Sequence, residues 1–380
     1  MRMEMKRILN YSCLLVLSAL CSFSSQAAKD TKLTKSISEK FKVTSNVNID
    51  IDNKYGQVII TTWDKDSVVV NVEVTAYGKN NSDTQKNLNR VDFDFNQVSN
   101  FITIQTVFDR SSGAFKEVFR NIGDYSKSLL SKNKLQIDYE IFIPEKAALD
   151  LENKFGDVYI NKYAGQLKLV MSHGDLKAND LTGNSRIDLS FGNASFRNLQ
   201  DAELKLRAAE VEIKKTANLT LICNSSKVNV EEAFSMKVDS RNDRIEIGRI
   251  QVIQGKGVFS KFRLGDVESL IDLDLSYGDV RANLIRSKFS KVEIESRSTD
   301  IELFVSDKSS FRALWIARDD NFDLDQVFSI FSKTPHEDRK GYVVVAGNYG
   351  QANSAGEITV KAQGGDVSIK LIEEALSTLK

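Results

Sequence analysis

Ile187-Asp188-Leu189-Ser190-Phe191-Gly192 is the stretch that decides the fold, because the chain repeats it. It recurs as Leu273-Asp274-Leu275-Ser276-Tyr277-Gly278 and, more loosely, as Leu169-Val170-Met171-Ser172-His173-Gly174. A longer form stands twice nearer the front, as Ile49-Asp50-Ile51-Asp52-Asn53-Lys54-Tyr55-Gly56 and Leu149-Asp150-Leu151-Glu152-Asn153-Lys154-Phe155-Gly156. Each copy reads as a half-buried strand with period two, then a polar and often aromatic corner closed by glycine. Gly56, Gly156, Gly174, Gly192 and Gly278 are therefore the expected structural corners.

Taking the glycine or its replacement as a marker places corners at Gly156, Gly174, Gly192, Ala209, Ser226, Asp243, Phe262 and Gly278, about 17 residues apart on average. Further rungs are expected at Ser298-Thr299-Asp300-Ile301 and at Gly364-Gly365-Asp366-Val367. A period of about 17 holds two strands of about five residues and two corners, and offset rungs of this kind pair in parallel. Only two prolines occur in 380 residues, as expected where every strand both donates and accepts ladder hydrogen bonds. The fold class is all-β: a parallel β-solenoid of about 17–18 residues per rung, with an irregular N-terminal β-rich part and short helical inserts. The turn at each corner points to positive φ at the glycine, and Tyr55, Phe155, His173, Phe191 and Tyr277 are expected to form one column before it.

The array defines the parts of the chain. Residues 1–28 have a basic start (Arg2, Lys6, Arg7), an apolar run from Leu14 to Leu20 and a small-residue exit at Gln26-Ala27-Ala28, the pattern of a secretory signal peptide. The competing reading is lipid attachment at Cys21, although Leu20 before it is bulkier than such sites use. Residues 29–148 read as a β-rich capping part, with a helix-like stretch opened by Asn80-Asn81-Ser82-Asp83 and running to about Arg90, Ser82 or Asp83 as its cap, and an insert at 110–134. Residues 149–310 carry the repeats, 311–345 an insert with a short helix, and 346–380 the last rung and a C-terminal capping helix. The spacing of Phe115, Val118, Phe119 and Ile122 suggests a helical turn or two, and Leu324, Val327, Phe328 and Phe331 after Asp323 predict another. Phe115, Val118, Phe119, Ile122, Leu324, Phe328 and Phe331 are thus the candidate partner contacts, with cover for the solenoid's own core as the alternative.

Charge and composition exclude more than they assign. Lys and Arg number 52, as do Asp and Glu. Without residues 1–28, 49 basic residues face 51 acidic ones, which gives no electrostatic case for nucleic acid or an anionic membrane. No transmembrane segment is expected after residue 28. Cys223 is then the sole cysteine, in an apolar strand, so no intramolecular disulfide is possible. The two histidines, His173 and His336, lie far apart, and no His-Glu-x-x-His, Cys-x-x-Cys or Gly-x-Ser-x-Gly is present. Gly255-Lys256-Gly257 lacks the rest of a phosphate-binding loop, and Gly364-Gly365-Asp366 is not the repeated nonapeptide of calcium-binding β-rolls. Asp188, Asp272 and Asp274 are candidate outward carboxylates, of the kind polysaccharide-active β-helix enzymes use, but outward charges also keep a β-surface from pairing sideways. Asp66-Ser67-Val68 fits a short O-glycan acceptor pattern. No catalytic, cofactor or metal residue is expected.

The doubled Asn-Lys-[Tyr/Phe]-Gly-x-Val-x-Ile at 53–60 and 153–160, Thr62-Trp63-Asp64-Lys65, and Ser276-Tyr277-Gly278-Asp279-Val280 resemble the putative adhesin family of bacterial exported β-solenoids, related to auto-transporter adhesin heads. The similarity covers roughly residues 40–370. It implies surface binding without shared catalytic residues. The expectation is a non-catalytic binding or scaffolding protein of the Gram-negative envelope, in the periplasm or at the outer-membrane surface, whose partner is an envelope protein or glycan. The alternatives are a polysaccharide-active β-helix enzyme and a periplasmic regulatory partner of a membrane signalling protein.

Overall fold

A computed structural model describes residues 31–108, 135–324, 328–351 and 356–374. Phe115, Val118, Phe119, Ile122 and the expected terminal helix beyond Glu374 lie outside the described residues. Alternation in the repeats becomes a stack of parallel rungs. Strands Leu176–Ser190, Asn193–Arg207, Glu210–Asn224, Lys227–Arg241, Arg244–Val258 and Lys261–Ser276 each pair in parallel with the next. Ile187 lies on Leu204, Leu204 on Leu221, and Leu221 on Val238, so each rung repeats the one below it.

Every second side chain points inward. Leu219, Leu221 and Cys223 face the core from one side, and Val211 and Ile213 from the other, all nearly free of solvent. Volumes are matched across the rung. Phe262 is wholly buried, and a Cβ on Gly257 would lie 2.6 Å from its ring and 3.0 Å from Leu275 Cδ2, so the glycine makes room for the phenyl group.

At both ends the stacking order departs from the chain order. The rung of Asn48–Lys54 and Val58–Trp63 lies between an earlier-stacked and a later-stacked neighbour, with Ile49 paired to Ile102 and Leu149, and Ile60 to Ile141 and Ile160. At the other end, Gly356–Gln363 and Val367–Ile372 slot between two earlier rungs: Ile358 pairs with Val292 and Ala313, and Val367 with Ile301 and Phe322. Phe311–Arg318 then continues into an antiparallel sheet with Tyr342–Tyr349 and Ser329–Pro335, which leaves the stack with no simple parallel template at that edge.

Among the described residues, those expected to form a helix through Leu324, Phe328 and Phe331 are not helical. Phe322–Leu324 and Ser329–Pro335 are strands. Phe328 is buried against Trp315, Phe311 and Tyr349, at 5.6–5.9 Å between ring centroids, and Ser329–Pro335 finds a ready ladder on Val343–Asn348. An isolated helix of two turns is marginal in water, so the ladder prevails over the local period.

Residues 31–35 and 74–91 form a smaller unit of their own. Its helix, Asn81–Leu88, is capped not by Ser82 or Asp83 but two or three residues earlier by Asn80, whose Oδ1 accepts from Asp83 N at 2.9 Å. Thr84 is buried there, its hydroxyl in reach of Asn80 O at 2.8 Å and Thr31 O at 3.2 Å.

Candidate functional site

The corners carry the least uniform chemistry of the array. Gly56, Gly156, Gly174, Gly192 and Gly278 stand at them, but not for the expected reason. Positive φ falls on the residue before: Tyr55 (69°), Phe155 (60°), His173 (56°), Phe191 (58°), Ala208 (48°), Ser225 (55°), Asn242 (60°), Phe259 (55°), Tyr277 (58°) and Ser298 (49°). This series also moves one marker, since the corner assigned to Phe262 belongs to Ser260, after Phe259. The glycines are needed for close approach instead. A Cβ on Gly156, Gly174 or Gly192 would overlap the carbonyl oxygen of the glycine in the rung beneath, Gly56, Gly156 and Gly174 respectively.

That carbonyl aims at a Cα rather than an amide, so the following N–H needs another acceptor. An aspartate supplies it. Asp175 N donates to Asp157 Oδ1 at 2.9 Å, Asn193 N to Asp175 Oδ1 at 3.1 Å, Gln57 N to Asp138 Oδ1 at 3.0 Å and Asp366 N to Asp300 Oδ1 at 3.0 Å. The Gly-Asp pair of the repeat is thus one device, in which the aspartate takes over for the carbonyl that glycine lets turn away. On the corners from Ala209 to Thr299 the carbonyl beneath bonds the amide directly, with Lys227 N on Ala209 O at 2.9 Å and Arg244 N on Ser226 O at 3.0 Å.

The asparagine of the Asn-Lys-[Tyr/Phe]-Gly motif is fully buried in both copies. Asn53 Nδ2 donates to Asn153 Oδ1 at 3.0 Å, and Asn153 Nδ2 to Gly156 O at 2.9 Å and Gly56 O at 3.2 Å. In the middle rungs the buried Asp243 does similar work: its carboxylate accepts from Ser226 N (2.6 Å), Arg241 N (2.7 Å) and Ser240 Oγ (2.8 Å).

Outside, the left-handed residues form the expected column, and then it breaks. Tyr55, Phe155, His173 and Phe191 stack with centroids 4.9–5.7 Å apart. Ala208, Ser225 and Asn242 follow, and the column resumes with Phe259 on Tyr277 at 5.2 Å. Phe191 and Phe259 are each about half exposed, at 52% and 55%. Four rung steps of about 4.8 Å set them roughly 19 Å apart. Between them runs a groove of about 740 Å³ from Gly192 to Lys261, floored by Ala208, Ser225 and Asn242.

A second series changes nearby, one rung further along. The position after the corner is Asp157, Asp175, Asn193 and Glu210, then Lys227, Arg244 and Lys261, then Asp279 and Asp300. Lys227, Arg244 and Lys261 line the groove. Like charges in register at one-rung spacing are destabilising, by about 0.2–1 kcal/mol per pair in analogous ladders. Partial relief comes from Glu210, 2.6 Å from Lys227, from Glu246 beside Arg244, and from Asp279, 3.6 Å from Lys261. On the opposite flank Arg207 and Arg241 are exposed and make no ion pair among the described residues.

The other candidates fall elsewhere. His173 is held between Phe155 and Phe191, and His336 Nδ1 accepts from Asp338 N in a loop. Asp188, Asp272 and Asp274 lie on the outer face, Asp272 in contact with Gln254 at 3.3 Å. Cys223 is buried, and burial first, then the nearby Asp243 charge, pushes its thiol pKa up. Burial likewise raises Asp50 and Asp52, helped by Asp150 and Glu152 in the adjacent rung. Asp180 is held low by hydrogen bonds from Arg197 and Asn198. Among the partner candidates, Phe328 is core, Phe331 is 70% exposed at an irregularity in its strand, and the Leu324 side chain lies outside the described residues. No described helix is long and apolar enough to cross a membrane.

No family model matches the chain, and no curated protein does. Solved structures similar to it include a "putative cell adhesion protein" of Clostridium sporogenes (10% identity, 90% of this chain and 100% of that one, TM-score 0.18). A "putative lipid binding protein" of Parabacteroides distasonis has 8% identity over 89% of this chain and 97% of its own, with TM-score 0.29. A "putative adhesin" of the same organism has 12% identity over 71% and 93%, with TM-score 0.27. These likenesses assign this chain no ligand.

Proposed function

We propose that this chain is a non-catalytic binding protein of the Gram-negative cell envelope, and that the groove between Phe191 and Phe259 is its ligand surface. One observation carries the reading: the aromatic column breaks at Ala208, Ser225 and Asn242, the acidic series gives way to Lys227, Arg244 and Lys261, and the two breaks overlap on the rungs of Ser225 and Asn242. Neither change serves packing. Aromatic residues at 208, 225 and 242 would continue a stack already built above and below, and acids at 227, 244 and 261 would continue the prevailing series. A concave surface with an aromatic face at Phe259 and a few converging polar groups is the arrangement ligand sites use.

The test fills the trough. The triple variant Ala208→Phe, Ser225→Phe, Asn242→Phe completes the column without touching the core. Wild-type protein is expected to be retained on immobilised outer-membrane and peptidoglycan fractions, and the filled variant to lose that retention while keeping its far-ultraviolet circular dichroism and melting temperature. Equal retention of the two proteins overturns the assignment.

A further inference from the structure

We infer that the groove takes an acidic glycan, with a sugar ring resting on the open face of Phe259 and the glycan's carboxylates met by Arg244 and Lys261 on one flank and by Arg241 on the other. The inference rests on the proposed binding surface and names the chemical class it selects.

The Phe259 ring lies nearly parallel to that of Tyr277, at 19°, so one face is covered and the other looks along the stack toward Asn242. Asn242 is too small to cover it, and its amide is engaged with Ser225 Oγ at 3.2 Å. A group that stacks there must be flat on one side and polar around its rim. The axial C–H face of a pyranose meets that description, its hydrogens carrying partial positive charge against the negative face of the phenyl ring. A ring so placed lies across the solenoid axis, and its substituents reach the two flanks of the corner. Arg241 precedes Asn242 on one flank, and Arg244 and Lys261 line the other. Guanidinium groups present paired donors that match a carboxylate, which favours a uronic or similarly acidic sugar over a neutral one. Phe191 repeats the arrangement in weaker form, with its open face beside Ala208 and with Arg207 on the flank.

Two other partners fit less well. A peptide strand cannot extend the ladder here, because the corner amides are already bonded along the stack, Ser225 N to Arg241 O at 3.0 Å and Asn242 N to Val258 O at 2.9 Å. Nucleic acid needs a longer basic track than three rungs, and the chain as a whole has no net charge.

Calorimetric titration of the full chain would use hexagalacturonate, cellohexaose, polyphosphate and single-stranded DNA as probes. Hexagalacturonate is expected to bind at least about tenfold more tightly than the other three. Phe259→Ala, and separately the triple Arg241→Gln, Arg244→Gln, Lys261→Gln, should each weaken it by about tenfold or more. Asn242→Phe, which covers the open face and leaves every cation in place, should do the same without lowering the melting temperature. Preference for cellohexaose that is lost in Asn242→Phe overturns the acidic class and leaves the surface standing. Equal binding of polyphosphate or DNA overturns the glycan. Hexagalacturonate binding that ignores Asn242→Phe and Phe259→Ala overturns both the class and the surface.

Discussion

Gly174→Ala tests the corner mechanism most directly. A methyl group at position 174 would overlap the Gly156 carbonyl oxygen and lie 2.7 Å from its carbon and 3.2 Å from its nitrogen. Ordinary carbon contacts begin near about 3.5 Å, so the two corners must part by about 1 Å. That movement carries the Asp175 N to Asp157 Oδ1 bond, 2.9 Å long, out of hydrogen-bond range. Overpacking of this kind costs about 1–3 kcal/mol and the lost bond about 1 kcal/mol, so the expected loss is about 2–4 kcal/mol. Because rungs stabilise only their neighbours, the loss should be local. Urea unfolding followed by circular dichroism would give the total, and amide exchange at Leu176 and Leu303 would locate it, with protection falling at the first and holding at the second. Ala209→Gly is the control, since that corner already accommodates a Cβ and should lose no more than about 1 kcal/mol. A Gly174→Ala midpoint equal to wild type, or equal losses for the two variants, would refute the close-approach argument.

Three further outcomes follow from the same geometry. Ala208→Gly should stabilise the chain by about 0.5–1 kcal/mol, because φ at 208 is 48° and glycine removes that strain; an unchanged or lower denaturation midpoint counts against it. Asn153→Ala strips the buried Asn53 amide of its shortest-bonded acceptor and the Gly156 carbonyl of a donor, and should cost about 2–4 kcal/mol by urea unfolding, with Asn53→Ala/Asn153→Ala costing less than the two singles together. The Asp52 pKa is raised above 3.8, mainly by burial, so the stability it contributes is present below that value and lost as pH rises through its folded-state value. Asp52→Asn should therefore be more stable than wild type near about pH 7 and converge with it in acid, as read from paired urea melts across pH.

Much of the fold was legible in Ile187–Gly192 and its copies, because period-two alternation and a fixed repeat length are local properties that hydrogen bonding converts directly into parallel rungs. The site was legible only in part. The corner column was visible as Tyr55, Phe155, His173, Phe191 and Tyr277, and its break at Ala208, Ser225 and Asn242 follows from the markers Ala209, Ser226 and Asp243, but its resumption at Phe259 was hidden by one misplaced marker, Phe262 for Ser260. Correct registration at that corner would have shown the full extent of both the break and the cation series in the sequence.

Other features were beyond any local reading. The repeat marks where a rung turns, but the neighbouring rung decides how. Glycine is required because another rung's carbonyl approaches it, aspartate because that carbonyl has turned away, and buried asparagine because a second asparagine lies one rung above. The strands at Phe322–Leu324 and Ser329–Pro335 arise likewise from a waiting partner rather than from their own period. Sequence alone determined the rung, its length and its inward face. Tertiary structure decided the order of rungs at the two ends and the open trough on the corner face, because both depend on contacts between residues far apart in the chain and close only once the stack has formed.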